Sequence, residues 1–205
     1  GYRTFATGKW HNGSACFARS FTDGGEIFFG GMNDHWNVPA NKFDPTGQYS
    51  RRSNMIHNPY YSNQVTQYIC DHITPGKHSS ELFCDCAADW LEAYQDEAPF
   101  FMYVSFMAPH DPRSVPEPFK SMYDPEHIPL PDNFIPEHEF DFGIRDIRDE
   151  VLAPYPRPRG EIKKHIAEYY SMISHTHPNR LIDAPALRSE GWESNTLNVF
   201  AGDNG

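Results

Sequence analysis

The sequence predicts an α/β fold built on a central, mostly parallel sheet. Three short apolar runs, YRTFAT (Tyr2 to Thr7), PFFMYVSFMA (Pro99 to Ala108) and TLNVFA (Thr196 to Ala201), each end in a polar turn bearing Gly or Pro. Amphipathic helical stretches lie between them, and this alternation is the pattern of parallel strands joined by crossover helices. The turns carry the reactive side chains, as expected where ligands sit beyond the carboxyl ends of parallel strands.

Taken in order, the first strand runs into GKWH. From Asp23 to about His78 the chain is rich in Gly, Asn, Asp and aromatics and reads as a long loop. Its aromatic content predicts an ordered, packed loop, and loops longer than about 15 residues often build functional surfaces. SSELFCDCAADWLEAYQDEAP then reads as an amphipathic helix, with Ser79 or Ser80 as N-cap and Phe83, Cys86, Ala87, Trp90, Leu91 and Tyr94 on one face. Pro99 lies past its end. The second apolar run is continuous, as in a strand covered on both faces, and leads into PHDP. A Pro-rich stretch from Pro109 to Gly160 follows, then GEIKKHIAEYYSMISH, a second helix with Ile162, Ile166, Tyr169 and Ile173 on its apolar face. Pro178 and Pro185 come next. Each costs about 3 kcal/mol inside a helix, so the helix is expected to kink or break there. TLNVFA then enters GDNG.

The chain has 205 residues, a formal net charge of −11 and a sequence pI near 5.4. That balance argues against a nucleic-acid surface, which needs a clustered basic excess. No stretch approaches the roughly 18 apolar residues of a membrane helix. Four cysteines, Cys16, Cys70, Cys84 and Cys86, leave the redox compartment open. No internal repeat or low-complexity tract is present.

Three turns concentrate the chemistry. Lys9 and His11 follow the first strand, where alternation turns them to one side with Trp10 between them. An ammonium beside an imidazole suits an oxyanion, one supplying charge and the other a movable proton. In APHDP, His110 sits between Pro109 and Pro112, a rigid placement of the kind a general acid needs. Asp203 and Asn204 in GDNG are hard oxygen ligands suited to Ca²⁺ or Mg²⁺. Taken singly, each turn also reads as ordinary surface or turn chemistry; together on one sheet edge they point to one site.

Other sets carry less. Cys84 and Cys86, with His72 and His78, imitate a zinc set, but two cysteines two apart in a helix do not face the same way. His175 and His177 read as helix-end residues. RDIRDE (Arg145 to Glu150) alternates in sign and reads as a solvated face.

GYRTFATGKWHNG resembles the second signature of the type I sulfatases, in which a glycine-led strand runs into GKWH. The resemblance extends through FARSFTDGGEIFFGGMNDHW, PFFMYVSFMAPHDP, LPDNFIPEHEFDFG, IRDEVLAPYPRPR, HIAEYYSMISH and NTLNVFAGDNG, and so covers nearly the whole chain. It implies the alkaline-phosphatase-like α/β sandwich and hydrolysis of a small-molecule or carbohydrate sulfate ester at a Ca²⁺ site. By this resemblance, Lys9 contacts the sulfate group and His11 assists turnover at the nucleophile. His110 lies near the bridging oxygen and helps the leaving group depart, while Asp203 and Asn204 complete the metal shell. Family members are often periplasmic or secreted, which is the compartment implied.

The family nucleophile is a formylglycine made from a cysteine in a CxPSR-type motif upstream of the GKWH strand. None of the four cysteines here has that context. Residues 1–205 are therefore read as part of one sulfatase catalytic domain, lacking its nucleophile segment and C-terminal portion, with the isolated piece expected to be inactive. Two alternatives stand beside this reading. One is a phosphate or phosphonate ester hydrolase of the same superfamily, and the other a non-catalytic truncated relative. Oligomeric state is not legible.

Overall fold

The computed structural model describes residues 1–56, 64–141, 143, 145–147, 151–176, 187–188 and 191–202. It divides into two compact units, Gly1–Pro112 with Thr176–Gly205, and Arg113–His175.

The first unit holds a three-stranded parallel sheet. Strand β1 (Arg3–Lys9) is central, flanked by β2 (Asp23–Phe28) and β5 (Phe100–Ser105). Phe5, Ala6, Thr7 and Gly8 are buried in succession, as expected for a strand with neighbours on both edges and layers on both faces. β5 pairs only with β1 among the described residues, and its burial alternates. Phe101 and Tyr103 are 51% and 42% exposed, so the expectation that both faces are covered is corrected here.

The region read as a long loop is more regular than expected. It contains β2 and an antiparallel hairpin of β3 (Arg52–Ile56) and β4 (Val65–Ile69), preceded by the short helix α1 (Ser14–Ser20). DGGEIF was missed because two glycines and two acids dilute the strand signal. Buried Asn41 ties β2 to the hairpin. Its side-chain amide donates to the Ile27 and Ile69 carbonyls at 3.0 and 3.1 Å, so its polar group is satisfied inside the core.

Helix α2 (Ser79–Glu92) forms where the periodicity places it, but His78 is the N-cap, its Nδ1 accepting from the Ser80 amide at 3.2 Å. Leu82 and Phe83 pack with Phe28, Val38 and Met107 under the turn that follows β5. A second cluster, of Ala6, Phe17, Phe21 and Ile27, lies under the turn that follows β1. Burying each large side chain contributes about 1.5–3 kcal/mol. The third predicted strand does not form. Residues 196–200 have no regular structure, Leu197 and Val199 are 87% and 78% exposed, and among the described residues no strand pairs with them.

The second unit is the Pro-rich stretch with helix α3 (Arg159–Thr176). The buried stripe of α3 is Ala167, Ser171, Met172 and His175, whereas Tyr169 and Ile173 of the expected face are exposed. Arg113 Nε donates to Glu168 at 3.2 Å, Tyr123 pairs with Ser174 at 2.8 Å, and the Arg157 guanidinium stacks 3.9 Å from the Tyr155 ring centroid. Pro178 and Pro185 lie outside the described residues. Among the described residues no helix is long and apolar enough to cross a membrane.

Candidate functional site

The first turn is set by a backbone device. Gly8 has φ +97°, and a Cβ there would stand 2.0 Å from the Ser105 carbonyl oxygen of β5. Only glycine allows β1 and β5 to pair this closely. On the other side the register with β2 shifts between Thr7 and Gly8, so Glu26 is left as the extra residue of a bulge. Glu26 itself has φ 46°, a left-handed conformation that costs roughly 1–2 kcal/mol in a residue with a Cβ. Such bulges re-aim the chain. Past it, the Trp10 amide donates to the Phe28 carbonyl at 2.8 Å, and the Trp10 indole donates to the Gly13 carbonyl at 2.9 Å. The Trp10 ring meets Phe17 and Phe21 edge-on, both at 5.5 Å.

Trp10 thus anchors the turn that presents half-buried Lys9 and exposed His11. Gly31 lets the next loop approach, since a Cβ there would sit 3.1 Å from His11 Cε1.

The bulge has its own clamp. His72 Nε2 lies 2.9 and 3.0 Å from the two carboxylate oxygens of Glu26, and Nδ1 bonds Asp71. Burial pulls the His72 pKa down, but the bonds to Asp71 and Glu26 outweigh it and hold the ring above its ordinary value. Asp71 feels burial in the opposite sense, yet the Lys42 amide and His72 keep its carboxyl below the ordinary range. The sequence does not reveal this triad because Glu26 lies 46 positions from His72; the adjacent Asp71–His72 pair is the one contiguous signal.

The second turn follows β5. The His110 amide donates to the Met107 carbonyl at 3.0 Å, and its Nδ1 lies 3.3 Å from the Asp111 carbonyl oxygen. The carbonyl of His110 receives a bond from His35 Nε2 at 3.1 Å, while His35 Nδ1 lies 2.7 Å from Ser79 Oγ. His35 is fully buried and stacked on His78, with centroids 5.0 Å apart and planes 3° apart. Neither His35 nor His78 was singled out from DHW and KHSS for this role.

Lys9 ends β1, His11 follows it, and His110 follows β5, so all three lie at the carboxyl ends of adjacent, parallel strands. Asp203 and Asn204 lie outside the described residues. Among those described, no group of three or more His, Cys, Asp or Glu side chains is arranged to hold a metal. Ca²⁺ takes about 6–8 oxygen ligands, so the described residues do not by themselves fit its shell.

The zinc-like set also disperses. His72 is engaged by carboxylates, His78 caps α2, and none of the four cysteines is in a disulfide. Desolvation pushes the half-buried Cys86 thiol up to about 11, away from the thiolate form that binds metals. His175 packs its ring against Phe119 at 5.0 Å, and His177 lies outside the described residues. Arg145 of the alternating run pairs with Glu137 at 2.5 Å on an exposed face.

A family model described as Sulfatase matches residues 1–205. The chain is 26% identical over 225 aligned positions to the arylsulfatase of Klebsiella aerogenes, covering 100% of this chain and 45% of that protein. It is 27% identical over 208 positions to the ulvan-active sulfatase of Formosa agariphila, covering 100% of this chain and 33% of that protein. The chain thus spans less than half the length of these curated relatives.

Proposed function

The chain belongs to the sulfatase family, and on that premise we propose that the whole protein hydrolyses a sulfuric ester, with Lys9, His11 and His110 in its active site. What carries this reading is the position of the two turns at the carboxyl ends of paired parallel strands, one bearing an ammonium and an imidazole and the other an imidazole. Lys9 offsets the charge on the sulfate oxygens, an interaction that grows as negative charge develops. His11 assists proton movement on the nucleophile side. At His110, Nδ1 is turned toward the Asp111 carbonyl, so Nε2 is the nitrogen offered to the ester. As the sulfuryl group passes to the attacking nucleophile and the bond from sulfur to the bridging oxygen breaks, the doubly protonated His110 ring, its Nδ1–H held on the Asp111 carbonyl, gives its Nε2 proton to that oxygen and the alcohol leaves neutral.

Asp203 and Asn204 are proposed as two oxygen ligands of a Ca²⁺ or Mg²⁺ ion. The attacking group is not supplied by any cysteine of this chain, because none stands in a CxPSR context. The 205-residue chain by itself is accordingly proposed to be inactive.

The test is hydrolysis of an alkyl sulfate, whose leaving group needs a proton, and the matching alkyl phosphate by the full-length protein. Sulfate turnover that falls about 10²–10⁴-fold in Lys9→Ala and His110→Ala is expected. Preference for the phosphate ester, or undiminished turnover in both variants, would overturn the assignment.

A further inference from the structure

We propose that His35, locked by Ser79, is a positioning residue that aims His110 at the leaving-group oxygen; this rests on the reading of His110 as the leaving-group acid. The His35 ring reaches the backbone carbonyl of the very residue whose side chain must be aimed. A carbonyl only accepts, so His35 Nε2 carries a hydrogen and donates it. In the neutral ring Nδ1 is then the acceptor, matched to the Ser79 hydroxyl at 2.7 Å. Ser79 is held in return, since its amide donates to the His35 carbonyl at 2.7 Å. His35 and the first residue of α2 therefore grip each other through both backbone and side chain. The His78 ring covers the face of His35, and its own nitrogen caps the same helix. An imidazole so enclosed has one orientation and one tautomer, set by α2 and delivered to the turn after β5.

Packing alone would not select this residue. A buried imidazole needs partners for its nitrogens, whereas an apolar ring would fill the space without that requirement. The bond to the His110 carbonyl is what an apolar ring cannot make. A reacting group displaced by about 1 Å loses on the order of 10²-fold in rate, so a tether on the backbone of His110 has leverage over its proton transfer.

The experiment uses the full-length enzyme and two sulfate esters, 4-nitrophenyl sulfate, whose leaving group departs without protonation, and an alkyl sulfate, whose leaving group needs the proton. His110→Ala sets the reference, with a much larger loss on the alkyl ester. His35→Phe keeps the ring and its stack but removes the donor. It is expected to lower kcat/KM for the alkyl ester by about 10–100-fold and for 4-nitrophenyl sulfate by less than about threefold, the loss falling on kcat with KM held. His35→Gln, which restores an N–H, recovers most of the alkyl-ester activity, and Ser79→Ala shows a smaller loss of the same kind. A folded His35→Phe enzyme that loses both activities equally, or neither, overturns the proposal. Should His35→Phe not fold, Ser79→Ala decides alone: a loss confined to the alkyl ester supports the tether, and a uniform loss or none overturns it. If His110→Ala itself hits both esters alike, the reading of His110 has failed, and the role given to His35 falls with it.

Discussion

Two apolar stretches of similar composition, FAT in β1 and LNVF at 197–200, meet opposite fates. Phe5 and Ala6 are 2% and 1% exposed, with β2 and β5 hydrogen-bonded on either side and aromatic rings packed against them. Leu197, Val199 and Phe200 are largely bare, and no described strand pairs with them. Apolar, β-prone residues make a strand only when a neighbour takes up the backbone groups and a layer covers the side chains. The turn after β1 inherits rigidity from that enclosure. Its Lys9 and His11 are set at the end of a buried strand, whereas 196–200 runs irregular and exposed.

The sharpest way to break this contrast is at Gly8. Gly8→Ala places a methyl group 2.0 Å from the Ser105 oxygen at φ +97°. A loss on the order of 5 kcal/mol in denaturant unfolding is expected, from overpacking and left-handed strain together. A variant as stable as wild type would mean that β1 and β5 are not so closely paired.

Next is Phe83→Ala, which empties the cluster below the second turn and is expected to cost about 3–5 kcal/mol. A loss below 1 kcal/mol, a threshold typical of surface sites, would show that this core does not support the turn.

A smaller, pH-dependent effect is expected at the bulge. The folded-state pKa of His72 is raised, so the clamp's contribution is fully present below its ordinary value of about 6.5 and is lost as pH rises through the raised value. The Asp71 value is lowered, so its contribution is present above about 3.9 and is lost as pH falls through the lowered value. The stability gap between wild type and His72→Gln should therefore narrow as pH rises through the neutral and alkaline range. A gap independent of pH would show that His72 is not charged against Glu26.

Smallest of all, Leu197→Ala should change stability by no more than about 0.5 kcal/mol, as at other exposed positions. A loss of several kcal/mol would place Leu197 in a core and end the contrast.

The amino-acid order determined the local pieces. Glycine before KWH, the apolar run of β5, the periodicity of α2 and the two polar turns are all contiguous signals, and with them came the α/β class and the family. β2 stayed hidden because DGGEIF has little strand character alone and becomes a strand by pairing with β1. The apolar face of α3 was misplaced because periodicity defines a stripe, while the packing of the second unit chose which stripe to bury.

What only the tertiary structure decided is long-range and polar. Glu26 meets His72, and His35 meets both Ser79 and the His110 carbonyl, across 46, 44 and 75 positions of sequence. No periodicity links such residues. They meet because the sheet and α2 bring their segments together, and a buried polar atom must then find its partner wherever the fold has put one.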